Sequence, residues 1–184
     1  KNKVSPLTAP NFCMLLRKHI GSARISGIRQ PGLERVVKFE LEHLNELGDP
    51  CKKVLIMELM GKHSNIIFCN EKGMIIDSIK HISGLVSSVR EVLPGKPWFI
   101  PHTQEKFDPL TADRALFMEQ VFSKPCDCFK ALYTTFTGLS PAISHEICFR
   151  AGGHAALSTA ACTDADKESL WNAFSEIITQ VKNG

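Results

Sequence analysis

The sequence has no long hydrophobic run. Its longest apolar stretch, at residues 54–57, has the length of a strand and falls far short of the roughly 18 residues that cross a bilayer. Residues 1–6 lack the apolar segment of a secretory signal peptide, and the chain lacks an initiator methionine, as expected of a fragment or a processed chain. Neither a membrane-spanning nor a secreted protein is expected.

The common signatures of catalysis and nucleotide binding are missing as well. Gly152 and Gly153 are not followed by the Gly-Lys-Ser/Thr of a phosphate-binding loop, and neither G-x-S-x-G nor H-E-x-x-H occurs. Cys13 and His19 lie near an apolar helix, where a core cysteine is a better explanation than a nucleophile. We therefore expect no catalytic residue, no cofactor and no small-molecule substrate, and hence not an enzyme.

The composition is that of a globular protein. Of 184 residues, 43% are hydrophobic and 22% are charged, which excludes intrinsic disorder, collagen-like repeats and coiled coil for the whole chain. A chain of this length buries about 70% of its extended surface and needs no metal or disulfide to form a core.

Cysteine usage favours a reducing compartment. Seven cysteines are an odd number without a signal peptide, and most lie in apolar stretches where a reduced thiol packs as a small hydrophobe. The only close pair, Cys126 and Cys128, has a spacing that structural zinc sites do not prefer. The cysteines are therefore predicted to be reduced, the protein cytoplasmic, and no metal site is expected.

The two halves of the chain differ in charge. Residues 1–100 carry 15 Lys and Arg against 9 Asp and Glu, a net +6, whereas residues 101–184 carry 7 against 10, a net −3. This asymmetry is consistent with a surface that faces a polyanion, and equally with ordinary solvated charge.

The first hundred residues indicate one short helix and then strands. Phe12, Leu15, Leu16 and Ile20 recur at helical spacing before Gly21. Short, partly alternating apolar segments with tight connections follow and predict an antiparallel sheet. These segments are residues 24–30, 35–41, 53–60, 65–69 and 74–82.

A proline-rich stretch at residues 93–109 marks the boundary to a helical region. After it, Asp108 or Thr111 is predicted to cap a first helix, and Pro141 to begin a later one. In the last helix five residues are predicted to face inward: Leu170, Phe174, Ile177, Ile178 and Val181. The predicted fold is α+β, with a β-rich domain at residues 1–100 and a helical domain at residues 101–184.

Polar residues cluster at the ends of two predicted strands. Glu34 and Arg35 follow a turn and precede a strand, and residues 58–65 interrupt two apolar strands with Glu, Met, Gly, Lys and His. One interpretation is the rim of a hairpin with an ion pair. The other is a site for phosphates and base edges, because Arg offers a planar fork of donors and Lys a point charge.

Five ordered motifs resemble the N-terminal NFACT module of the RqcH/NEMF family, whose bacterial members are often called fibronectin-binding protein A-like. They are residues 12–20 (FCMLLRKHI), 32–35 (GLER), 58–67 (ELMGKHSNII), 75–81 (IIDSIKH) and 90–95 (REVLPG). The resemblance implies a non-enzymatic, ribosome-associated quality-control factor that binds tRNA and the large ribosomal subunit carrying a stalled peptidyl-tRNA. It would recruit tRNA, alanyl-tRNA in bacteria, for template-free alanine tailing of the nascent chain.

The same resemblance assigns candidate tRNA-binding residues. Arg35 would contact a phosphate or base edge, with Glu34, where the family usually has Asp, as its orienter or as a base acceptor. Lys62 and His63 would extend this surface. Glu58 and Met60 would shape it.

Residues 138–152 (GLSPAISHEICFRAG) resemble the helix-two-turns-helix module of formamidopyrimidine-type DNA glycosylases. Pro141 replaces the Asn with which those enzymes hold DNA phosphate, and it supplies neither a side-chain donor nor an N–H. A DNA glycosylase or lyase and a fibronectin-binding adhesin are the alternatives to the quality-control factor.

Overall fold

A computed structural model describes residues 7–45, 47–101 and 105–184 of the chain. It contains one five-stranded antiparallel sheet and five α-helices, so the predicted α+β class is confirmed. The strands are β1 (Arg24–Arg29), β2 (Val36–Leu44), β3 (Pro50–Glu58), β4 (Asn65–Asn70) and β5 (Ile75–Ser78). The helices are α1 (Asn11–Ile20), α2 (Arg114–Phe122), α3 (Cys128–Thr135), α4 (Pro141–Arg150) and α5 (Asp164–Asn183).

The sheet is a meander in which the strand order follows the chain, β1-β2-β3-β4-β5. The longest pairing joins β2 to β3, from Val36 opposite Glu58 to Leu44 opposite Pro50. The start of β2 therefore lies beside the end of β3, and this edge of the sheet carries most of the candidate site.

The first part of the proline-rich stretch pairs with β5 and continues the sheet, although the chain makes a turn at residues 94–96. The Gly95 amide donates to the Ile75 carbonyl at 2.8 Å, and the Ile75 amide donates to the Lys96 carbonyl at 2.8 Å. Ile82 and Val92 also exchange backbone hydrogen bonds. The segment between residues 82 and 98 thus satisfies backbone groups that β5 would otherwise leave unpaired.

Both faces of the sheet bury apolar side chains. On one face Val36 joins a core under the proline-rich segment, and on the other Leu41 is buried. The first core consists of Val36, Ile56, Ile67, Cys69, Ile75 and Val92.

Side-chain caps set the starts of three helices. Asp113, rather than the predicted Asp108 or Thr111, caps α2 and accepts from the Leu116 amide at 2.8 Å. Ser140 caps α4, with Pro141 in its first turn. Thr163 and Asp166 form a reciprocal capping box at the start of α5.

The helices enclose a second core around Phe117, whose ring lies 4.9 Å from that of Phe174. Four of the five residues predicted to face inward on α5 are buried, and Val181 is 50% exposed. The prediction was wrong for Val181 alone, because α5 extends one turn beyond the core. In the described ranges no helix has both the length and the apolar character needed to cross a membrane.

The chain divides into two compact units. The sheet unit contains residues 1–31 and 35–103, and the helical unit contains residues 32–34 and 104–184. Within the helical unit Leu33 packs against Gly138, where a Cβ atom would collide with it. Gly138 also has a φ of +78°, which favours glycine.

The cysteines are unbridged thiols throughout the described part of the chain. Burial raises the pKa of Cys69 and that of Cys148 from 9.0 to about 11 each. Among the described residues, no group of three or more His, Cys, Asp or Glu is placed to hold a metal ion.

Cys69 and Cys148 are expected to react slowly with a thiol reagent at pH 8. A pKa raised by two units leaves about a hundredfold less thiolate, and burial reduces access further. Mass spectrometry of timed alkylation should therefore find Cys13 and Cys51, which are partly exposed, labelled before Cys69 and Cys148. Guanidinium should equalise the rates, and rapid native labelling of Cys69 would contradict the structure.

Candidate functional site

Arg35 lies at the edge of the sheet where β2 begins and β3 ends. Its carbonyl accepts a hydrogen bond from the Leu59 amide at 2.8 Å, which extends the β2–β3 ladder by one residue. The Arg35 side chain is exposed. The Arg35 backbone therefore lies beside the start of the turn that follows β3.

That turn runs from Leu59 to Ser64 and is closed by its own hydrogen bonds. The Met60 amide donates to Ser64 Oγ at 3.0 Å, and the His63 amide donates to the Met60 carbonyl at 3.1 Å. Gly61 has a φ of +58°, a conformation that other residues adopt at a cost. The single 3₁₀ turn leaves Lys62 and His63 exposed, while half-buried Met60 packs against the sheet core.

Lys80 joins this surface although it follows β5. Buried Asn65 holds its backbone: Asn65 Nδ2 donates to the Lys80 carbonyl at 2.9 Å, and the Lys80 amide donates to Asn65 Oδ1 at 3.0 Å. The Lys80 ammonium then donates to the Lys62 carbonyl at 3.0 Å. A third exposed cation thus lies against the turn.

We call Arg35, Lys62, His63 and Lys80 the basic rim. All four side chains are exposed, and no carboxylate of a described residue forms an ion pair with any of them. Cations without carboxylate partners leave a positive potential at this edge of the sheet unit.

A buried ion pair supports the basic rim from beneath. Glu58, at the end of β3, is 2% exposed, and Arg90 is 9% exposed. Arg90 Nη2 donates to both carboxylate oxygens at 2.5 Å, and Trp98 Nε1 donates to Oε1 at 2.9 Å. Every charge buried here has a partner, which burial of charge requires.

The same group of side chains holds the proline-rich segment to the sheet. Arg90 Nη1 donates to the Phe99 carbonyl at 2.6 Å. The Lys38 ammonium lies 4.4 Å from the centre of the Trp98 ring, a cation–π distance. Glu58 is therefore a positioning residue that ties the end of β3 to Arg90 and Trp98.

The structure brings five of the six predicted site residues to one edge of the sheet unit: Arg35, Glu58, Met60, Lys62 and His63. The sixth, Glu34, is half-buried and belongs to the helical unit with Gly32 and Leu33. The predicted pairing of Glu34 with Arg35 therefore remains a prediction.

Sequence reasoning missed Lys80, Arg90 and Trp98. Arg90 lies 32 residues from Glu58, and Lys80 lies 15 from Asn65, so no local pattern connects them. One signal was available: Lys80 and Arg90 both occur in motifs that carry the family resemblance.

Comparison with known proteins decides the family. Residues 1–184 match the family model described as "NFACT N-terminal and middle domains". The chain belongs to the NFACT family. The resemblance read from the five NFACT motifs is thereby confirmed.

The curated NFACT relatives include bacterial proteins named Rqc2 homolog RqcH. The chain is 39% identical to the one from Bacillus subtilis over 149 residues, which cover 80% of this chain and 26% of the relative. The chain thus spans about a quarter of the length of this curated relative.

Solved structures share the fold over nearly the whole chain. The fibrinogen binding protein from Staphylococcus aureus matches with a TM-score of 0.79 at 30% identity, covering 95% of this chain and 60% of that one. The N-terminal part of the fibronectin/fibrinogen-binding protein from Streptococcus suis matches with a TM-score of 0.71 at 28% identity, covering 95% and 61%.

Proposed function

We propose that this chain is the tRNA- and large-ribosomal-subunit-binding module of a cytoplasmic ribosome-associated quality-control factor. In this proposal the complete gene product promotes template-free alanine tailing of stalled nascent chains. The module performs no chemistry of its own. It binds and positions alanyl-tRNA beside the stalled peptidyl-tRNA.

The observation that carries the proposal is the basic rim. RNA helices are recognised largely by shape and by contacts to phosphates and 2′-hydroxyls, which need a few well-placed cations on a rigid surface. Arg35 is positioned by the β2–β3 ladder, and Lys62 by the closed turn. The buried Glu58–Arg90 pair makes the support beneath them rigid.

The relatives support the same assignment. The Bacillus subtilis relative is named Rqc2 homolog RqcH, and its match covers 80% of this chain. A role in ribosome quality control agrees with that name. It also agrees with the net charge of +6 over residues 1–100.

Each rim residue has a proposed part. Arg35 offers a planar fork to a phosphate or a base edge, and Glu34 orients it or accepts from a base. Lys62 and His63 extend the phosphate contacts, and Lys80 adds to them. Glu58, which is buried, and Met60, which is half-buried, shape the surface from within.

Crosslinking in cells tests this proposal most directly. The complete gene product would be crosslinked to RNA and the bound RNA sequenced. Enrichment of tRNA and of large-subunit ribosomal RNA supports the proposal, whereas recovery of neither rejects it.

Binding of tRNA to the 184-residue chain is expected to weaken steeply with salt. Each neutralised phosphate contributes about 0.7 to 0.9 log units of affinity per log unit of salt. Replacing Lys62 by Glu should reduce that slope by about one phosphate, equally for all tRNAs. Filter binding at several salt concentrations measures the slope.

Lys72→Glu is the matched control. Lys72 is exposed in the turn between β4 and β5, at the opposite end of β4 from the basic rim. Lys72→Glu changes the net charge of the chain by the same amount as the Lys62 substitution. Because Lys72 lies away from the basic rim, the slope should stay at its wild-type value. Equal slopes for the two variants, or binding that is indifferent to salt, would contradict an electrostatic contact at the rim.

A further inference from the structure

Four of the seven cysteines lie in the helical unit: Cys126, Cys128, Cys148 and Cys162. Two of them are in contact, because the Cys128 sulfur lies 3.4 Å from the Cys162 sulfur and the two thiols share a hydrogen bond. Cys128 is the first residue of α3, and Cys162 lies shortly before the start of α5. The contact thus joins two elements that are 34 positions apart in the sequence.

Backbone hydrogen bonds bring these two thiols together. The Cys128 amide donates to the Leu157 carbonyl at 2.9 Å, and the Thr159 amide donates to the Cys126 carbonyl at 3.0 Å. A single 3₁₀ turn follows, in which the Cys162 amide donates to the Thr159 carbonyl at 3.4 Å. The pairing of two short backbone segments therefore holds both cysteines beside each other.

The hydrogen bond between the thiols has a direction. Cys162 Sγ donates to the Ser158 carbonyl at 3.6 Å. A thiol carries a single proton, so Cys128 is the thiol that remains to donate within the pair. The Cys128 proton is therefore directed at the Cys162 sulfur.

The two thiols differ in their surroundings. Cys128 is 0% exposed, whereas Cys162 is half-buried and precedes the exposed cap residue Thr163. Burial raises the pKa of the Cys128 thiol, and its hydrogen bond to Cys162 raises that pKa further. Cys128 thus stays protonated at neutral pH and away from solvent, so a small reagent dissolved in water meets Cys162 first.

The geometry of the pair suits a covalent bond between the sulfurs. A disulfide has a bond length of about 2.0 Å, so the two atoms need to approach by about 1.4 Å. Rotations of the two side chains can supply a movement of this size. In the part of the chain that the structure describes, no third His, Cys, Asp or Glu is placed to complete a metal site with them.

We propose that Cys128 and Cys162 form a reversible disulfide when a peroxide reaches the helical unit. The Cys162 sulfur first attacks one peroxide oxygen, the O–O bond breaks, and the products are a Cys162 sulfenic acid and water. The Cys128 sulfur then attacks the Cys162 sulfur, and the S–O bond breaks. The Cys128 proton passes to the leaving hydroxyl, which departs as a second molecule of water.

The electrons balance over these two steps. Each sulfur gives up one electron, and the peroxide accepts both as it becomes two molecules of water. A small thiol such as dithiothreitol reverses the change by thiol–disulfide exchange, because it becomes the disulfide while Cys128 and Cys162 regain their protons. The inference does not rest on the function proposed for the basic rim.

The disulfide would connect the start of α3 to the segment that precedes α5. The closed loop contains all of α4. A link between positions this far apart restricts the unfolded chain and thereby favours the folded one. Peroxide is therefore expected to convert the helical unit into a form that is more resistant to unfolding.

Hydrogen peroxide is the probe for this site. The 184-residue chain would be treated with it, alkylated with N-ethylmaleimide and digested with trypsin without reduction. Mass spectrometry should find the peptide of residues 115–130 linked to that of residues 151–167, and dithiothreitol should separate them. A link from Cys162 to Cys148, or oxidation of Cys162 to its sulfonic acid without any link, would overturn the proposal.

Three variants identify the partner of Cys162, because Cys126 and Cys128 share one tryptic peptide. Cys128→Ala and Cys162→Ala should abolish the link. Cys126→Ala, which removes a thiol from the same peptide, should retain it. Loss of the link in Cys126→Ala with retention in Cys128→Ala would overturn the assignment. Fragmentation of the wild-type peptide between Cys126 and Cys128 decides the question even if a variant is unstable.

Thermal unfolding followed by Trp171 fluorescence in a Trp98→Phe background tests the effect of the link. Treatment with peroxide should raise the unfolding temperature by several degrees when Cys162 is present. It should not raise it in Cys162→Ala, which controls for oxidation of methionines. No rise with Cys162 present, or an equal rise in both proteins, would contradict a stabilising disulfide at this position.

Discussion

Replacing Arg90 by alanine is expected to lower the free energy of unfolding by about 3–5 kcal/mol. The substitution leaves the Glu58 carboxylate, which is 2% exposed, buried without its cation. It also removes the hydrogen bond to the Phe99 carbonyl. The measurement is urea unfolding followed by Trp98 fluorescence in a Trp171→Phe background, because Trp98 itself donates to Glu58.

Arg29→Ala is the matched control for this prediction. Arg29 also pairs with a glutamate, Glu40, at 2.7 Å, but its side chain is 72% exposed. Exposed pairs contribute between about 0 and 1 kcal/mol. Similar losses for the two variants would show that burial of the Glu58–Arg90 pair has no special weight in the stability of the sheet unit.

Replacing Arg35 by alanine in the complete gene product is expected to abolish alanine tailing while leaving the fold intact. The side chain is exposed, and its link to Leu59 uses the backbone carbonyl, which alanine retains. Unfolding should therefore change by no more than about 0.5 kcal/mol. The tRNA affinity of the 184-residue chain should fall at least about tenfold, the loss expected for one charged hydrogen bond.

The tails can be measured by mass spectrometry of a stalled reporter protein in cells that carry only the variant gene. Arg35→Lys retains the charge and loses the planar fork, so it should preserve the salt slope and weaken discrimination between RNAs. Full tailing with Arg35→Ala would contradict the proposed role. A shift of many degrees in thermal unfolding would identify Arg35 as structural instead.

The local elements could be predicted from the sequence because each follows from short-range physics. Period-two apolar alternation and tight turns indicated the five strands, and Pro141 marked a helix start that the structure contains. The cap of α2 was assigned too early, because Asp108 and Thr111 have the right chemistry but precede the residue where helical backbone begins. Chemistry alone does not distinguish Asp113 from them.

The supporting contacts of the candidate site could not be predicted in the same way. Glu58 and Arg90 meet because the chain returns along β5 and through residues 79–89, and that path depends on the assembled sheet. Lys80 reaches the basic rim through Asn65, a buried amide that an isolated sequence presents as an ordinary loop residue. The pairing of segments that are distant in sequence therefore determines which polar residues support the site.

The assignment of residues 32–34 to the helical unit has a consequence for any attempt to dissect the protein. The backbone changes units after Pro31, after Glu34 and again near residue 103, so the helical unit is not encoded by one contiguous stretch of the gene. A polypeptide that begins at residue 104 would lack Leu33, the side chain that packs on Gly138. No single cut in the chain therefore yields both units complete. Deleting the three residues between Pro31 and Arg35 would damage the helical unit, although they lie about a hundred positions before Gly138 in the sequence.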